Sequence, residues 1–243
     1  MLPDPLGAPP FDPALADALS ARRAALEARI AAACARAGRD PASVTFVAVT
    51  KTHPPDVLRA AFAAGLRHFG ENRVQELVAK RAALVDLPVA WHHIGRLQTN
   101  KARDAVRLAH LVHGVDSVDV AAALARRADA DGVVLPVLVQ VNVSGEATKG
   151  GAAPADAPAL LDAVGAHASL RLDGLMAIAA YSEDPEAARP AFRLLRALRD
   201  AHATAERPLS VLSMGMSGDF EVAVEEGATL VRIGSALFGE RGG

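Results

Sequence analysis

The chain has 243 residues, 51% of them apolar, with 26 basic and 28 acidic side chains and a formal net charge of −2. This is the usual size of one (β/α)8 barrel and ample for a large core, and the even charge balance argues against a nucleic-acid or polyanion binder. The single cysteine, Cys34, excludes an internal disulfide and a thiolate metal cluster, and fits a reducing cytoplasm. The opening residues have neither the basic nor the apolar region of a secretory leader, and no uninterrupted apolar run reaches the roughly 18 residues of a membrane span, so a cytoplasmic protein is expected.

The Pro-rich residues 1–12 read as a mobile tail, and residues 13–243 as one barrel domain. Residues 13–37 read as an amphipathic helix with Leu15, Leu19, Leu26 and Ile30 on one side, stopped by Gly38. Short β-branched runs then alternate with helical segments. Strands are predicted over 44–50, 67–70, 89–95, 111–115, 135–143, 172–177, 209–214 and 229–233; those at 67–70 and 111–115 carry the weakest pattern. Between them, helices are predicted over 54–64, from Val74 through Leu84, and over 100–108, 118–130, 154–168, 185–205 and 218–226, with Pro190 at the start or a kink of its run. Eight strands alternating with helices, without a dividing linker, favour a closed α/β barrel of the (β/α)8 TIM type with an extra N-terminal helix. An open nucleotide-binding sheet would want glycines after its first strand, where this chain has Thr50-Lys51-Thr52-His53-Pro54.

In a barrel of this kind, chemistry collects at the C-terminal ends of the strands. Lys51 stands at the end of the first, one of only four lysines. A lysine partly desolvated at a barrel mouth has a lowered pKa and can add to a carbonyl; the alternative is a lysine that snorkels to the rim. The turns after strands seven and eight carry Gly215 and Ser217, then Gly234 and Ser235. Loops in those two positions form the usual phosphate cup of this fold, the alternative being ordinary turns capped by Ser217 and Ser235. Arg232 lies just before the second turn. His92 and His93 are neighbours on a strand and must point to opposite faces, so they cannot share a metal; no metal site is expected. Lys149 reads as a solvated loop residue and Cys34 as a small apolar packing residue.

Six segments together carry a family resemblance: VAVTKTHP (47–54), HFGENRVQE (68–76), WHHIGRLQTNK (91–101), VLVQVNVSGEATKGG (137–151), LDGLMAI (172–178) and LSMGMSGDFEVAVEEGATLVRIGSALFG (212–239). In this order the chain resembles the YggS/PROSC family of pyridoxal 5′-phosphate (PLP) homeostasis proteins from residue 44 to its end. The resemblance implies a barrel like the N-terminal domain of bacterial alanine racemases, with PLP held covalently as a Schiff base on Lys51. It implies Arg232 at the pyridine nitrogen and a phosphate held by Ser217, Gly234 and Ser235, with Asn72, Met176 and Met214 lining the rest of the pocket. An arginine donating to the ring nitrogen leaves it unprotonated and a weak electron sink.

Three functions remain open. The expected one is a PLP-binding protein of intracellular PLP homeostasis, without turnover of its own, that transiently meets apo-enzymes. The second is a PLP-dependent amino acid racemase, which needs an acid/base on each face of the bound substrate. Lys51 could serve one face; in alanine racemases, by the same resemblance, a tyrosine from a second domain of a partner subunit serves the other. No counterpart of that domain follows strand eight and the only tyrosine is Tyr181, so a carrier with an open mouth, and a monomer, is favoured. The third is an aldolase or isomerase that uses the phosphate cup alone, with Glu71 as base.

Overall fold

The computed structural model describes residues 11–146 and 149–239; most of the expected tail lies outside the described residues. The first helix, α1 (Pro13–Arg36), starts where Asp12 accepts a hydrogen bond from the Ala14 N–H at 2.9 Å and Pro13 presets the first turn. Its buried stripe of Leu19, Leu26, Ile30 and Ala33 is the face expected from periodicity.

Eight parallel strands close into a barrel in chain order: β1 (Thr45–Val49), β2 (His68–Glu71), β3 (Ala90–His93), β4 (Leu111–Val115), β5 (Leu135–Gln140), β6 (Leu170–Met176), β7 (Val211–Ser213) and β8 (Leu230–Ile233). Closure runs through four β1–β8 pairs, among them Val47 opposite Arg232. The helices between them are α2 (Pro55–Ala63), α3 (Val74–Ala83), α4 (Ala102–Leu108), α5 (Val118–Asp131), α6 (Ala157–Gly165), α7 (Arg189–His202) and α8 (Phe220–Glu225), with a last short α9 (Ser235–Phe238). Both weakly patterned strands are present. The long run at 185–205 splits into a 3-10 turn at Pro185–Ala188 and α7, so Pro190 sits in the first turn of a helix, where its missing N–H is harmless. Helix α1 packs on α2, α8 and α9 on the outside of the barrel.

The main core lies between strands and helices; Phe69 meets Trp91 edge-on at 5.7 Å there. A second, small apolar cluster of Val47, Leu111, Leu138, Met176 and Leu230 fills the barrel interior. Gly174 allows β6 and β7 to approach: a Cβ there would stand 1.9 Å from the Val211 carbonyl oxygen.

Candidate functional site

Lys51 is held by its neighbours. At the end of β1, the Thr50 N–H donates to the Gly70 carbonyl at 3.0 Å, and its hydroxyl donates to Glu71 Oε1 at 2.5 Å. The Thr50 carbonyl accepts from Lys80 Nζ at 2.8 Å. Lys80, 6% exposed, also donates to Glu71 Oε1 at 2.8 Å and to Glu76 Oε2 at 3.0 Å, and Glu76 in turn accepts the Thr52 N–H at 2.8 Å. Thr52 has φ +70°, a left-handed conformation that a β-branched residue rarely adopts. Strain of this kind persists only where the surroundings over-determine it, and the Lys80–Glu71–Glu76 cluster supplies that constraint on both sides of Lys51. Desolvation pushes the Glu71 carboxyl up in spite of Lys80 and Thr50. At Glu76, partial burial is outweighed by the Thr52 N–H and Lys80, and its carboxyl lies below the ordinary value. Glu71 is thus the buried partner of Lys80 and not a base aimed at the mouth, which removes the carboxylate that the aldolase reading requires.

Beside the end of β1, two turns meet at Ser217. Its hydroxyl oxygen accepts from the N–H groups of Gly234 and Ala236 at 3.2 and 3.3 Å, tying the turn after β7 to the turn after β8. Its own proton is left for a further acceptor. Among the described residues, none accepts from the N–H groups of Ser217, Gly218 or Ser235. A Cβ on Gly218 would stand in open space, so nothing crowds these donors. The turn after β7 depends on Gly215, at φ +92°, where a Cβ would come within 2.6 Å of the Ala223 Cβ.

Arg232 rises from β8 with 3% exposure. One terminal nitrogen donates to Ser213 Oγ at 2.6 Å and the other to the Ala177 carbonyl at 2.9 Å. Among the described residues no carboxylate forms an ion pair with it and its Nε–H takes no partner, although burial lowers it only to about 10, so it remains a cation. The Asp219 carboxylate acts on this buried cation without touching it, so Arg232 is not a salt-bridged rim arginine, and its unused Nε–H is a donor left for a ligand.

Lys51, Ser217, Arg232, Gly234 and Ser235, five of the eight residues singled out from the sequence, line one cavity of about 280 Å³. Val49, Met216 and His53, whose ring lies 4.4 Å from that of Phe238, line it too. Tyr181 stands at its edge, 90% exposed. Asn72 lies instead in a separate groove with Arg73, Arg96 and Lys101. Met176 belongs to the apolar interior below the mouth and Met214 to the core under the helices, 1% and 0% exposed. Lys149 is tied to the Ala179 carbonyl and to Glu146. The sequence reading did not find the Lys80 clamp or Ser213. The i, i+4 spacing of Glu76 and Lys80 was the only signal for the first, and it is common on any exposed helix.

A family model described as "Alanine racemase, N-terminal domain" matches residues 22–242. A "Pyridoxal phosphate homeostasis protein" of Pseudomonas aeruginosa is 50% identical over 218 residues, 90% of this chain and 94% of its own length. One of the same name from Aquifex aeolicus is 47% identical over 217 residues, covering 88% and 94%. Among solved structures, PipY of Synechococcus elongatus with PLP bound superposes with a TM-score of 0.77 at 38% identity, over 91% of this chain and all of that one. An alanine racemase of Clostridium difficile shares the fold at 14% identity and a TM-score of 0.71, and this chain spans 58% of it. The chain belongs to the alanine racemase N-terminal domain family and, within it, to the branch of the pyridoxal phosphate homeostasis proteins.

Proposed function

We propose that this protein binds PLP at the mouth of its barrel as a Schiff base on Lys51 and serves PLP homeostasis in the cytoplasm, as a monomer and without turnover of its own. The observation that carries this reading is the single small cavity in which an amine, an unpaired buried guanidinium and a cluster of unfilled N–H and hydroxyl donors converge. These are the three groups that PLP requires: a nucleophile for its aldehyde, a donor for its ring nitrogen and donors for its phosphate. The relatives named as PLP homeostasis proteins and the PLP-bound PipY neighbour support it.

When bound, PLP supplies a reactive aldehyde and an electron-withdrawing ring. Lys51 forms the covalent attachment, and the clamp on Thr50 and Thr52 fixes where its stem leaves the strand. Ser217 donates its hydroxyl proton to the phosphate, with the N–H groups of Gly218 and Ser235 beside it. Arg232 presents its Nε–H to the pyridine nitrogen and keeps that nitrogen unprotonated, which weakens the ring as an electron sink. Of the other proposed pocket residues, Asn72, just after β2, would help to hold the cofactor from that side of the mouth. Met176 and Met214 support the pocket floor from the core behind it.

The racemase alternative keeps one specific candidate: Tyr181 lines the cavity as the group for the second face. Its 90% exposure leaves it in water at the edge of the cavity, away from the water-excluded position that an acid/base on the second face needs. Titration of the purified protein with PLP, followed by visible absorbance, tests the binding site: the wild type should gain a band that Lys51→Ala lacks. Absence of the band in the wild type would overturn the PLP reading. Incubation of the loaded protein with single L-amino acids and chiral analysis should give no sustained D-product. Turnover lost in Tyr181→Phe would replace the carrier by the racemase.

A further inference from the structure

The interior of a (β/α)8 barrel is normally packed with bulky apolar side chains. Here an unbroken polar line runs through it. His68 Nδ1 lies 3.0 Å from His92 Nε2, His92 Nδ1 lies 2.9 Å from His113 Nε2, and His113 Nδ1 lies 2.9 Å from Ser213 Oγ. Ser213 Oγ then accepts from Arg232 at 2.6 Å. The line starts on β2 and crosses β3 and β4 to β7 and β8. Its outer end, His68, is half-buried and lines a groove of about 540 Å³ between α1 and the N-terminal ends of the first strands. Its inner end lines the cofactor cavity at the opposite end of the barrel.

The donors and acceptors along this line admit one fully satisfied arrangement. Arg232 can only donate, so Ser213 Oγ accepts from it. Ser213 is fully buried, and its hydroxyl proton finds one acceptor among the described residues, His113 Nδ1. That choice puts the His113 proton on Nε2, where it donates to His92 Nδ1; His92 then carries its proton on Nε2 and donates to His68 Nδ1. Reversing the line would leave Ser213 Oγ accepting from both sides with its own proton unpaired in a buried site, a loss of about 1–3 kcal/mol. Burial also keeps every imidazole neutral: His92 is pushed down to about 3, His113 well below its usual value and His68 lower as well.

We propose that Ser213, His113, His92 and His68 are positioning residues that fix the rotamer of Arg232, and with it the donor offered to the cofactor ring, through one polarised relay of neutral Nε2–H imidazoles. This rests on the PLP reading for its consequence, not for its geometry. Arg232 also donates to the Ala177 carbonyl and lies in the field of Asp219, but the bond to Ser213 is the only side-chain hydrogen bond that orients the guanidinium among the described residues.

Nitrogen-15 NMR of the histidine-labelled full chain without cofactor reads the tautomers directly. All three relay histidines should be neutral Nε2–H forms; His113 protonated on Nδ1 would overturn the proposal. His113→Phe removes the acceptor from Ser213 and should weaken PLP binding about tenfold, the worth of one hydrogen bond to a charged network. His113→Asn, whose amide oxygen can stand where Nδ1 stood, should recover most of that loss. A His113→Phe protein that melts like the wild type and binds PLP within twofold of it would also overturn the proposal. If His113→Phe does not fold, the wild-type tautomers and the affinity of Ser213→Ala decide, with the same tenfold loss expected and unchanged binding refuting. A wild type that fails to bind PLP at all sinks the cofactor reading and leaves the relay to the NMR result.

Discussion

Lys80→Met tests the clamp beneath Lys51. Lys80 Nζ makes three polar contacts, to the Thr50 carbonyl, Glu71 Oε1 and Glu76 Oε2, within 2.8–3.0 Å, and methionine keeps the stem but none of them. Glu71 is fully buried and would then keep only the Thr50 hydroxyl. Removing one partner of a buried ion pair typically costs about 3–5 kcal/mol, because the other charge stays buried without compensation. Taking about 3 kcal/mol, the melting temperature of a chain this size should fall by roughly 6–12 °C. The deficit should also depend on pH. Desolvation already raises Glu71 in the wild type, and losing Lys80 raises it further. A carboxyl whose folded pKa is above its unfolded one favours the fold most when protonated, and that contribution is lost as pH rises through the folded value. The Lys80→Met deficit should therefore be largest near neutrality and shrink on acidification. Urea unfolding of Lys80→Met, Glu71→Gln and the double variant gives the coupling: the double should recover at least about 1.5 kcal/mol relative to the sum of the singles. Strict additivity, or a Lys80→Met deficit under about 1 kcal/mol at pH 7, well below the range for a broken buried pair, would refute the clamp as an energetic unit.

Two further outcomes follow from the same turns. Ser217→Ala removes the acceptor shared by the Gly234 and Ala236 N–H groups and a phosphate donor, so PLP affinity should drop about tenfold or more, measured by absorbance titration; an unchanged affinity would remove Ser217 from the site. Thr52→Gly relieves a left-handed φ, which offsets the roughly 1 kcal/mol that glycine usually costs in backbone freedom, so urea unfolding should find it no less stable than the wild type; a clear loss would mean that the Thr52 side chain matters more than its strained backbone.

The barrel was legible because its evidence is periodic. Each of the eight predicted strands is present, in order, and the ends shift by up to three residues, most at β5, which ends at Gln140 where ladder pairing stops and Val141 makes only an isolated bridge to Ala152. The five cavity residues were legible because the fold fixes which ends of the strands carry chemistry, so position along the chain implied position in space. The same rule misplaced attention at Glu71: it stands at a strand end, but its side chain meets Lys80 from α3. Alternation along β3 separated His92 from His93 as expected, and only His92 joins the interior line. No local pattern could have joined His68, His92, His113, Ser213 and Arg232, since their contacts span sequence separations of 19 to 100 residues and exist only once the barrel closes.

Two kinds of support therefore meet at this cavity, and they act on opposite ends of the proposed cofactor. The charged clamp under Thr50 and Thr52 fixes the backbone that carries the amine, and it depends on ion pairs screened from solvent by α3. The neutral relay behind Ser213 fixes the guanidinium that would face the ring, and it depends on hydrogen-bond polarity instead of charge. On the proposed reading, the protein must bind its cargo firmly and keep the ring unreactive while it is held. Fixing both groups in advance lowers the ordering cost of binding. An arginine in place of a carboxylate at the ring nitrogen would make the ring a weaker electron sink. A racemase on the same frame would need a second, desolvated acid/base on the face opposite Lys51. Here the one phenol at the cavity stands 90% exposed at its edge.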